Sequence, residues 1–240
     1  MILCLDAGNT RLKFGLHDGS AWRGQGALQY DALDELDSGL AARPARIVAC
    51  NVAGDAVRRR IEALAARLGL PLEWLTATAA TCDVRNGYDT PQQLGADRWA
   101  ALIGARALHA GACVVVMAGT ATTIDVLDDT GLFRGGLILP GLSLMRAALA
   151  HNTAGLPHAA GHYRAQPTNT DDAIVGGATH ATLGAVERMR ATAGDGTLCL
   201  LSGGAAAELA PHLDLPHRLI ENLVLEGLVR FGNVRVTSGN

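Results

Sequence analysis

The chain has 240 residues, of which 49% are hydrophobic and 18% are charged, and its formal net charge is −3 at pH 7. This composition is typical of a compact folded protein and excludes a disordered chain. The slightly negative charge argues against nucleic acid as a partner, because such binding depends on Lys and Arg at the phosphates. No run of about 18 apolar residues occurs, so we also expect no membrane partner.

The five cysteines stand singly, without a CxxC pair, and mostly inside apolar runs. This pattern is typical of reduced, buried thiols, and it predicts a cytoplasmic protein. Lys13 is the only lysine. Any mechanism that requires a lysine at a phosphate or in a Schiff base would therefore depend on this one residue.

The first half of the chain predicts three short antiparallel strands, then a helix, a strand and a second helix. Residues 76–96 are rich in turn-forming residues and predict a loop. A further helix is expected to begin at Asp97 and to stop at Gly111. The predicted strands lie at residues 2–5, 13–16, 21–28 and 46–50, and the earlier helices at residues 33–40 and 56–68.

The second half repeats the opening of the first. The run Val114–Met117 breaks into Ala118–Gly119, as the run before Asp6 breaks into Ala7–Gly8, and two further predicted strands follow each break. Such self-similarity indicates an internal duplication. Downstream we predict helices at residues 142–149, 171–191, 205–213 and 222–231 and a strand at residues 197–201.

Three predicted strand ends break into small, polar turns, at residues 6–10, 119–123 and 202–204. Glycine lets backbone N–H groups approach an anion, and hydroxyl and amide side chains add donors, so together these turns predict a phosphate-binding site. The P-loop and protein-kinase motifs are absent. Asp6 is a candidate to hold Mg²⁺ through water beside phosphate oxygens.

Asp97 and Arg98 follow Gly95 at the predicted start of a helix. The positive end of a helix dipole favours a carboxylate there, and free N–H groups suit an anion. Two interpretations are open from these residues alone: a surface ion pair at a helix start, or a site in which Asp97 is a general base on an alcohol. Asp125 has the alternation of an ordinary exposed strand residue.

Motifs along nearly the whole chain resemble those of type III pantothenate kinases. They are Asp6-x-Gly8-Asn9-Thr10, Gly95-Ala96-Asp97-Arg98, Gly119-Thr120-Ala121-Thr122-Thr123, Gly135-Gly136-x-Ile138-x-Pro140-Gly141, Asn169-Thr170-x-x-Ala173-Ile174, Ser202-Gly203-Gly204 and Asn222-Leu223-x-Leu225-Glu226-Gly227-Leu228. Several independent motifs in the right order make the resemblance specific.

The resemblance implies an α/β fold of the acetate and sugar kinase, Hsp70 and actin superfamily. Two duplicated ribonuclease-H-like (actin-like ATPase) domains, with mixed β-sheets flanked by helices, are expected at residues 1–110 and 111–240, with nucleotide bound between them. It also implies ATP and Mg²⁺ as cofactors, pantothenate as substrate, and a homodimer. The side of the Asp97 helix with Trp99 and Leu102 is a candidate dimer surface.

Site residues follow from the same resemblance. The first phosphate-binding turn would contain Asp6, Ala7, Gly8, Asn9, Thr10, Arg11, Leu12 and Lys13, and Thr120 would contact ATP from the second turn. Pantothenate would be surrounded by Tyr88, Gly95, Ala96, Asp97, Arg98 and Thr170, with Asp97 as the proton acceptor.

Met117 departs from the family pattern. The family has an acid there that helps to bind a monovalent cation, K⁺ or NH₄⁺, whereas a thioether is a poor ligand for a hard cation. Either the cation site is lost, or backbone and hydroxyl oxygens suffice.

The predicted function is ATP-dependent phosphorylation of pantothenate to 4′-phosphopantothenate, the first step of coenzyme A biosynthesis. One alternative is a non-catalytic nucleotide-binding regulator or accessory protein of the same fold, which only the loss of the acid at Met117 favours. Another is a different small-molecule kinase on this fold, against which the motifs at Gly95–Arg98 and Thr170 argue.

Overall fold

The computed structural model describes residues 1–194, 196–214 and 216–237. The strands are β1 Ile2–Ala7, β2 Leu12–His17, β3 Trp22–Leu28, β4 Arg46–Asn51, β5 Leu72–Trp74, β6 Ala80–Thr81, β7 Val84–Asn86, β8 Cys113–Ala118, β9 Ala121–Leu127, β10 Leu132–Pro140, β11 Leu198–Ser202 and β12 His217–Leu219. The helices are α1 Asp55–Leu68, α2 Ala96–Leu108, α3 Leu142–Asn152, α4 Thr170–Ala193, α5 Ala206–Leu209 and α6 Leu223–Thr237, with 3-10 helices at Tyr30–Gly39, Pro91–Gln93 and Ala210–His212.

The chain forms two compact units. Unit 1 contains Met1–Ala110, Gly131–Phe133 and the closing segment from Asn222, and unit 2 contains Gly111–Thr130 and Arg134–Glu221. The units thus differ from the expected contiguous halves, because helix α6 packs within unit 1 against helix α2.

Unit 1 is built on a five-stranded sheet in the order β3-β2-β1-β4-β5. Strand β1 is antiparallel to β2 and parallel to β4. Strand β1 is completely buried, and its alternate residues Leu3 and Leu5 pack with Ile61 and Leu64 of α1. Gly69 ends α1 in the left-handed conformation (φ 64°), as expected of a glycine at this position.

Unit 2 repeats this arrangement in the order β10-β9-β8-β11-β12. Strand β8 is antiparallel to β9 and parallel to β11, as β1 is to β2 and β4. Val114, Val116 and Ile124 form its core with Leu183 and Val186 of α4. The duplicated α/β fold expected from the sequence is therefore confirmed.

Some predicted details are wrong. The segment expected to be a loop contains the hairpin β6–β7, and β7 pairs in parallel with Leu132 and Phe133. Strands of two or three residues are too short to show an alternating pattern. Asp125, expected to be exposed, is completely buried. All five cysteines are buried free thiols, as predicted.

Among residues 1–194, 196–214 and 216–237, no helix is long and apolar enough to cross a membrane.

Candidate active site

Asp6 is the penultimate residue of strand β1, and it lies between two polar neighbours on the adjacent strands. Lys13 of β2 and Cys50 of β4 are its partners in the strand register. The Cys50 thiol donates a hydrogen bond to Asp6 Oδ1, with 3.6 Å between Sγ and Oδ1. The Asp6 carboxyl is thus a buried acid at the edge of a glycine-containing turn, 7% exposed.

A side chain from a later segment of the chain contacts the turn at residues 8–11. The Tyr30 hydroxyl, from the first 3-10 helix, donates a hydrogen bond to the Gly8 carbonyl. Asn9, Thr10 and Arg11 are exposed, so their side chains and N–H groups can reach a ligand. The flanking Ala7 and Leu12 have completely buried side chains. These two residues could take part in binding only through their backbone, because their side chains belong to the core.

Burial raises the pKa of Asp6 to about 6. Lys13 and the Cys50 hydrogen bond oppose this shift, and the negative charge of Asp97 adds to it. Asp6 and Asp97 therefore lie close enough in unit 1 to influence each other electrostatically. A cationic or metal-bound ligand would stabilise the ionised forms of two such neighbouring acids.

Asp97 lies in the first turn of α2, after Gly95 at the N-cap. Its Oδ1 accepts a hydrogen bond of 2.8 Å from the Arg98 N–H. A Cβ atom at Gly95 would lie 2.7 Å from this oxygen, so a larger residue would displace the carboxylate. The half-buried Asp97 is thus held at the helix N-terminus with an oxygen that can accept a proton.

Arg98 is buried, with 5% of its surface exposed. Its Nη1 donates a hydrogen bond of 2.9 Å to the Tyr88 hydroxyl, and its guanidinium lies 5.7 Å from the Tyr88 ring centroid and 5.8 Å from that of Phe133. The interpretation of Asp97 and Arg98 as a surface ion pair is therefore wrong. Phe133 was missed from the sequence, where it has no signal beyond that of an apolar strand residue.

In unit 2 the second predicted turn meets two other glycine-containing segments. The Ala118 carbonyl accepts a hydrogen bond of 3.0 Å from Ala205 N–H, and the Thr120 carbonyl one of 2.9 Å from Gly141 N–H. Gly203 has a φ of 102°, and a Cβ atom there would lie 2.4 Å from the Ala118 carbonyl oxygen. The turns at residues 119–120, 140–141 and 203–204 thus form one glycine-rich cluster.

Met117 occupies the position in unit 2 that Asp6 occupies in unit 1. Its register neighbours are Thr123 on β9 and Ser202 on β11. The buried Thr123 hydroxyl has no hydrogen-bond partner among the described residues. One thioether and neighbouring hydroxyls make a weaker donor set for K⁺ or NH₄⁺ than a carboxylate would, and the residues here do not fit an acid-based cation site.

Thr170 is the first residue of α4, after Asn169 at the N-cap. Asp172 organises this helix start, because its carboxylate accepts hydrogen bonds from the His162 N–H at 2.8 Å and from Arg164 Nε and Asn169 Nδ2, both at 2.9 Å. These donors, the His162 N–H foremost, lower the pKa of Asp172. Thr170 borders a mainly apolar groove of about 1130 Å³ between α3 and α4.

No cluster of three or more His, Cys, Asp or Glu side chains that could hold a metal ion occurs in the described part of the chain. Proteins commonly bind Mg²⁺ through one or two carboxylates together with substrate phosphates and water. Asp6 is a suitable carboxylate, because it is next to the exposed first turn. The structure thus brings Asp6, Lys13, Tyr88, Asp97 and Arg98 into unit 1, and places Thr120 and Thr170 in unit 2.

The chain is similar in fold to solved structures of distant relatives. A Campylobacter jejuni protein assigned to the Baf family of transcriptional activators has a TM-score of 0.66 at 22% identity, covering 98% of this chain and 99% of that one. A polyphosphate/ATP-glucomannokinase from Arthrobacter has a TM-score of 0.51 at 15% identity, covering 100% and 99%. The fold is therefore that of the sugar kinases and actin-like ATPases.

Sequence comparison identifies the family. The family model for type III pantothenate kinases matches residues 2–192. The type III pantothenate kinase of Aromatoleum aromaticum is 53% identical over 232 residues, which cover 95% of this chain and 96% of the relative. That of Dechloromonas aromatica is 49% identical over 232 residues, with 95% and 97% covered. The chain belongs to the type III pantothenate kinase family.

Proposed function

We propose that this protein transfers the γ-phosphoryl group of ATP to the primary hydroxyl of pantothenate, giving 4′-phosphopantothenate and ADP. Family membership is the observation that carries the proposal, since relatives 53% and 49% identical are named for this substrate. The group formed by half-buried Tyr88 and Asp97 with buried Arg98 supplies the chemistry that it requires. The sequence relatives favour the enzyme over a non-catalytic regulator. The neighbour assigned to a family of transcriptional activators, at 22% identity, reflects the fold alone.

Asp97 is the proposed proton acceptor. As the hydroxyl oxygen of pantothenate attacks the γ-phosphorus, its proton passes to an Asp97 carboxylate oxygen, and the bond between that phosphorus and the ADP oxygen breaks. The alcohol has a high pKa, so orienting the hydroxyl is a large part of the contribution of Asp97. Gly95 supports this role, because it leaves room for the carboxylate.

Arg98 and Tyr88 are the proposed substrate-positioning groups, with Gly95 and Ala96. The contact of Thr170 with pantothenate stays a prediction of the family resemblance. Pantothenate is a carboxylate anion, and a guanidinium binds such groups through charge-assisted hydrogen bonds. The hydrogen bond from Arg98 to Tyr88 limits the orientations that the guanidinium can take. Holding the substrate in one pose is a main source of rate in phosphoryl transfer.

The turn at residues 8–11, with Asp6 and Lys13, is the proposed site for the ATP phosphates in unit 1. The contact of Thr120 with ATP stays a prediction of the family resemblance. Bound Mg²⁺ would neutralise charge that develops on the phosphate oxygens. Asp6 would hold it through water, and Lys13 contributes a positive charge next to Asp6.

We propose that the reaction does not depend on K⁺ or NH₄⁺, because Met117 stands where the family has an acid. The experiment is to incubate the purified protein with ATP, Mg²⁺ and pantothenate in K⁺, NH₄⁺ or neither, and to measure phosphopantothenate by mass spectrometry. We expect product at similar rates in all three. Product only with an added cation would overturn the cation proposal, and no product in any condition would overturn the function.

We also propose a homodimer in the cytoplasm. The apolar groove beside Thr170 supports a dimer, since Leu144 and Leu149 on its border are 49% and 39% exposed. Trp99 and Leu102, the earlier candidates for the interface, are completely buried in unit 1, so that expectation is wrong. Light scattering would give the mass, and a monomer at micromolar concentration would contradict the dimer. Five buried free thiols support a reducing compartment.

A further inference from the structure

Cys50 is the nearest polar neighbour of Asp6 on strand β4. The two residues are in register on parallel strands, so their side chains leave the same face of the sheet. Cys50 is 1% exposed, and its Sγ lies 3.6 Å from Asp6 Oδ1. The pair is therefore fixed by the strand pairing and does not depend on a mobile loop.

The thiol can act only as a donor here. The hydrogen bond runs from the Cys50 S–H to Asp6 Oδ1, because an ionised carboxylate has no proton to donate. In the low-dielectric interior even a weak donor acts more strongly on a carboxylate than it would in water.

Unit 2 contains a natural comparison. In the duplicated sheet, Met117 takes the place of Asp6 and Ser202 takes the place of Cys50, since β8 and β11 pair these two residues in register. There the Ser202 hydroxyl donates to the Glu221 carbonyl at 3.4 Å. Both units thus have a small hydrogen-bond donor at this position. In unit 1, which has a carboxylate beside it, the donor Cys50 bonds to that carboxylate.

We propose that Cys50 is a positioning residue for nucleotide binding, whose thiol holds the Asp6 carboxylate in one orientation towards the Mg²⁺–nucleotide complex. This inference rests on the proposed function of the first turn as the phosphate site. With Oδ1 engaged by Cys50, the carboxylate cannot rotate freely, and its second oxygen keeps a fixed direction. Loss of the thiol hydrogen would therefore weaken binding of the Mg²⁺ complex, while binding of the free nucleotide would change little.

The test uses four variants of the full chain. Cys50→Val and Cys50→Ala remove the donor with different effects on volume, and Cys50→Ser keeps a donor. Cys4→Ala is the matched control, because Cys4 lies on β1 in the same sheet and is also completely buried. ATP affinity is measured by calorimetry in Mg²⁺ and in EDTA, circular dichroism checks folding, and KM for ATP and kcat are measured with pantothenate.

We expect Cys50→Val and Cys50→Ala to bind ATP about fivefold more weakly in Mg²⁺, the effect of about 1 kcal/mol for one hydrogen bond, and to bind it almost normally in EDTA. KM for ATP should rise more than kcat falls. Cys50→Ser and Cys4→Ala should keep the wild-type ratio of the two affinities. If one donor-free variant does not fold, the other supplies the comparison with Cys50→Ser.

Three results would overturn the inference: a wild-type ratio in the donor-free variants, an equal loss in Mg²⁺ and EDTA, or the same Mg²⁺-specific loss in Cys50→Ser or Cys4→Ala. Wild-type protein that shows no Mg²⁺-dependent ATP binding would overturn it as well. A wild-type protein that binds Mg²⁺–ATP but forms no phosphopantothenate would overturn the proposed function alone, because the calorimetry still measures the effect of Cys50.

Discussion

At the scale of single residues, Asp6 shows a conflict between stability and function. Its carboxyl is 7% exposed, and burial is the main cause that raises its pKa to about 6. In the unfolded chain the pKa of this carboxyl is about 3.9. The ionised form is therefore less favourable in the folded protein than in the unfolded one, although it is the form that a metal–nucleotide complex would bind.

Asp6→Asn should accordingly stabilise the unliganded protein at neutral pH. Because the folded pKa is raised, the free-energy penalty of ionised Asp6 is absent below about pH 4, develops as the pH rises towards 6, and is complete above that. It amounts to about 3 kcal/mol. Urea unfolding in EDTA at pH 4.5 and pH 7.5 measures it. We expect Asp6→Asn to raise the free energy of unfolding by more at pH 7.5 than at pH 4.5. An equal increase at both pH values would contradict this explanation.

Only part of the environment of Asp97 and Arg98 could be predicted from the sequence. Their place at a helix start and their family motif could be predicted from neighbouring residues. The burial of Arg98 could not, because it depends on Tyr88 and Phe133, which come from separate segments. The buried environment of Asp125 was missed for the same reason, since alternation on one strand does not reveal what covers each face.

At the scale of elements, helix α2 carries Asp97, and α6 fixes its position within unit 1. The two helices approach so closely that a Cβ atom at Gly227 would lie 1.8 Å from the Ala100 carbonyl oxygen, and one at Gly104 would lie 2.4 Å from that of Leu223. The helical pattern of α2 was visible in the sequence. Its partner was not, because α6 follows more than 110 residues later.

Gly227→Ala should therefore destabilise the protein by about 3 kcal/mol and lower its activity, since α2 and α6 would have to separate. Gly184→Ala is the matched control: Gly184 is exposed within α4, with nothing within 4 Å of an added Cβ atom. That change should stabilise by about 0.5–1 kcal/mol, because alanine is the better helix former. Thermal unfolding of both variants distinguishes them, and a Gly227→Ala protein as stable as wild type would refute the close packing.

At the scale of the whole molecule, the duplication accounts for what could be predicted. The repeated run and Ala-Gly break align Asp6 with Met117, and the strand registers of β1–β4 and β8–β11 place these residues at equivalent positions. The short strands β5, β6, β7 and β12 were missed, because two or three residues carry no periodic signal. The assignment of α6 to unit 1 needed the tertiary contacts.

In the proposed reaction Asp97 accepts the proton of the pantothenate hydroxyl, and Asp97→Asn tests this role most directly. Asparagine has nearly the same size and can still accept the Arg98 N–H hydrogen bond, so the helix start should be kept. Asp55→Asn is the control, because Asp55 is also an acid in the first turn of a helix but is exposed. We predict that steady-state turnover with ATP, Mg²⁺ and pantothenate falls by about 100-fold or more in Asp97→Asn and is unchanged in Asp55→Asn. Turnover of Asp97→Asn close to that of the wild type would contradict the account.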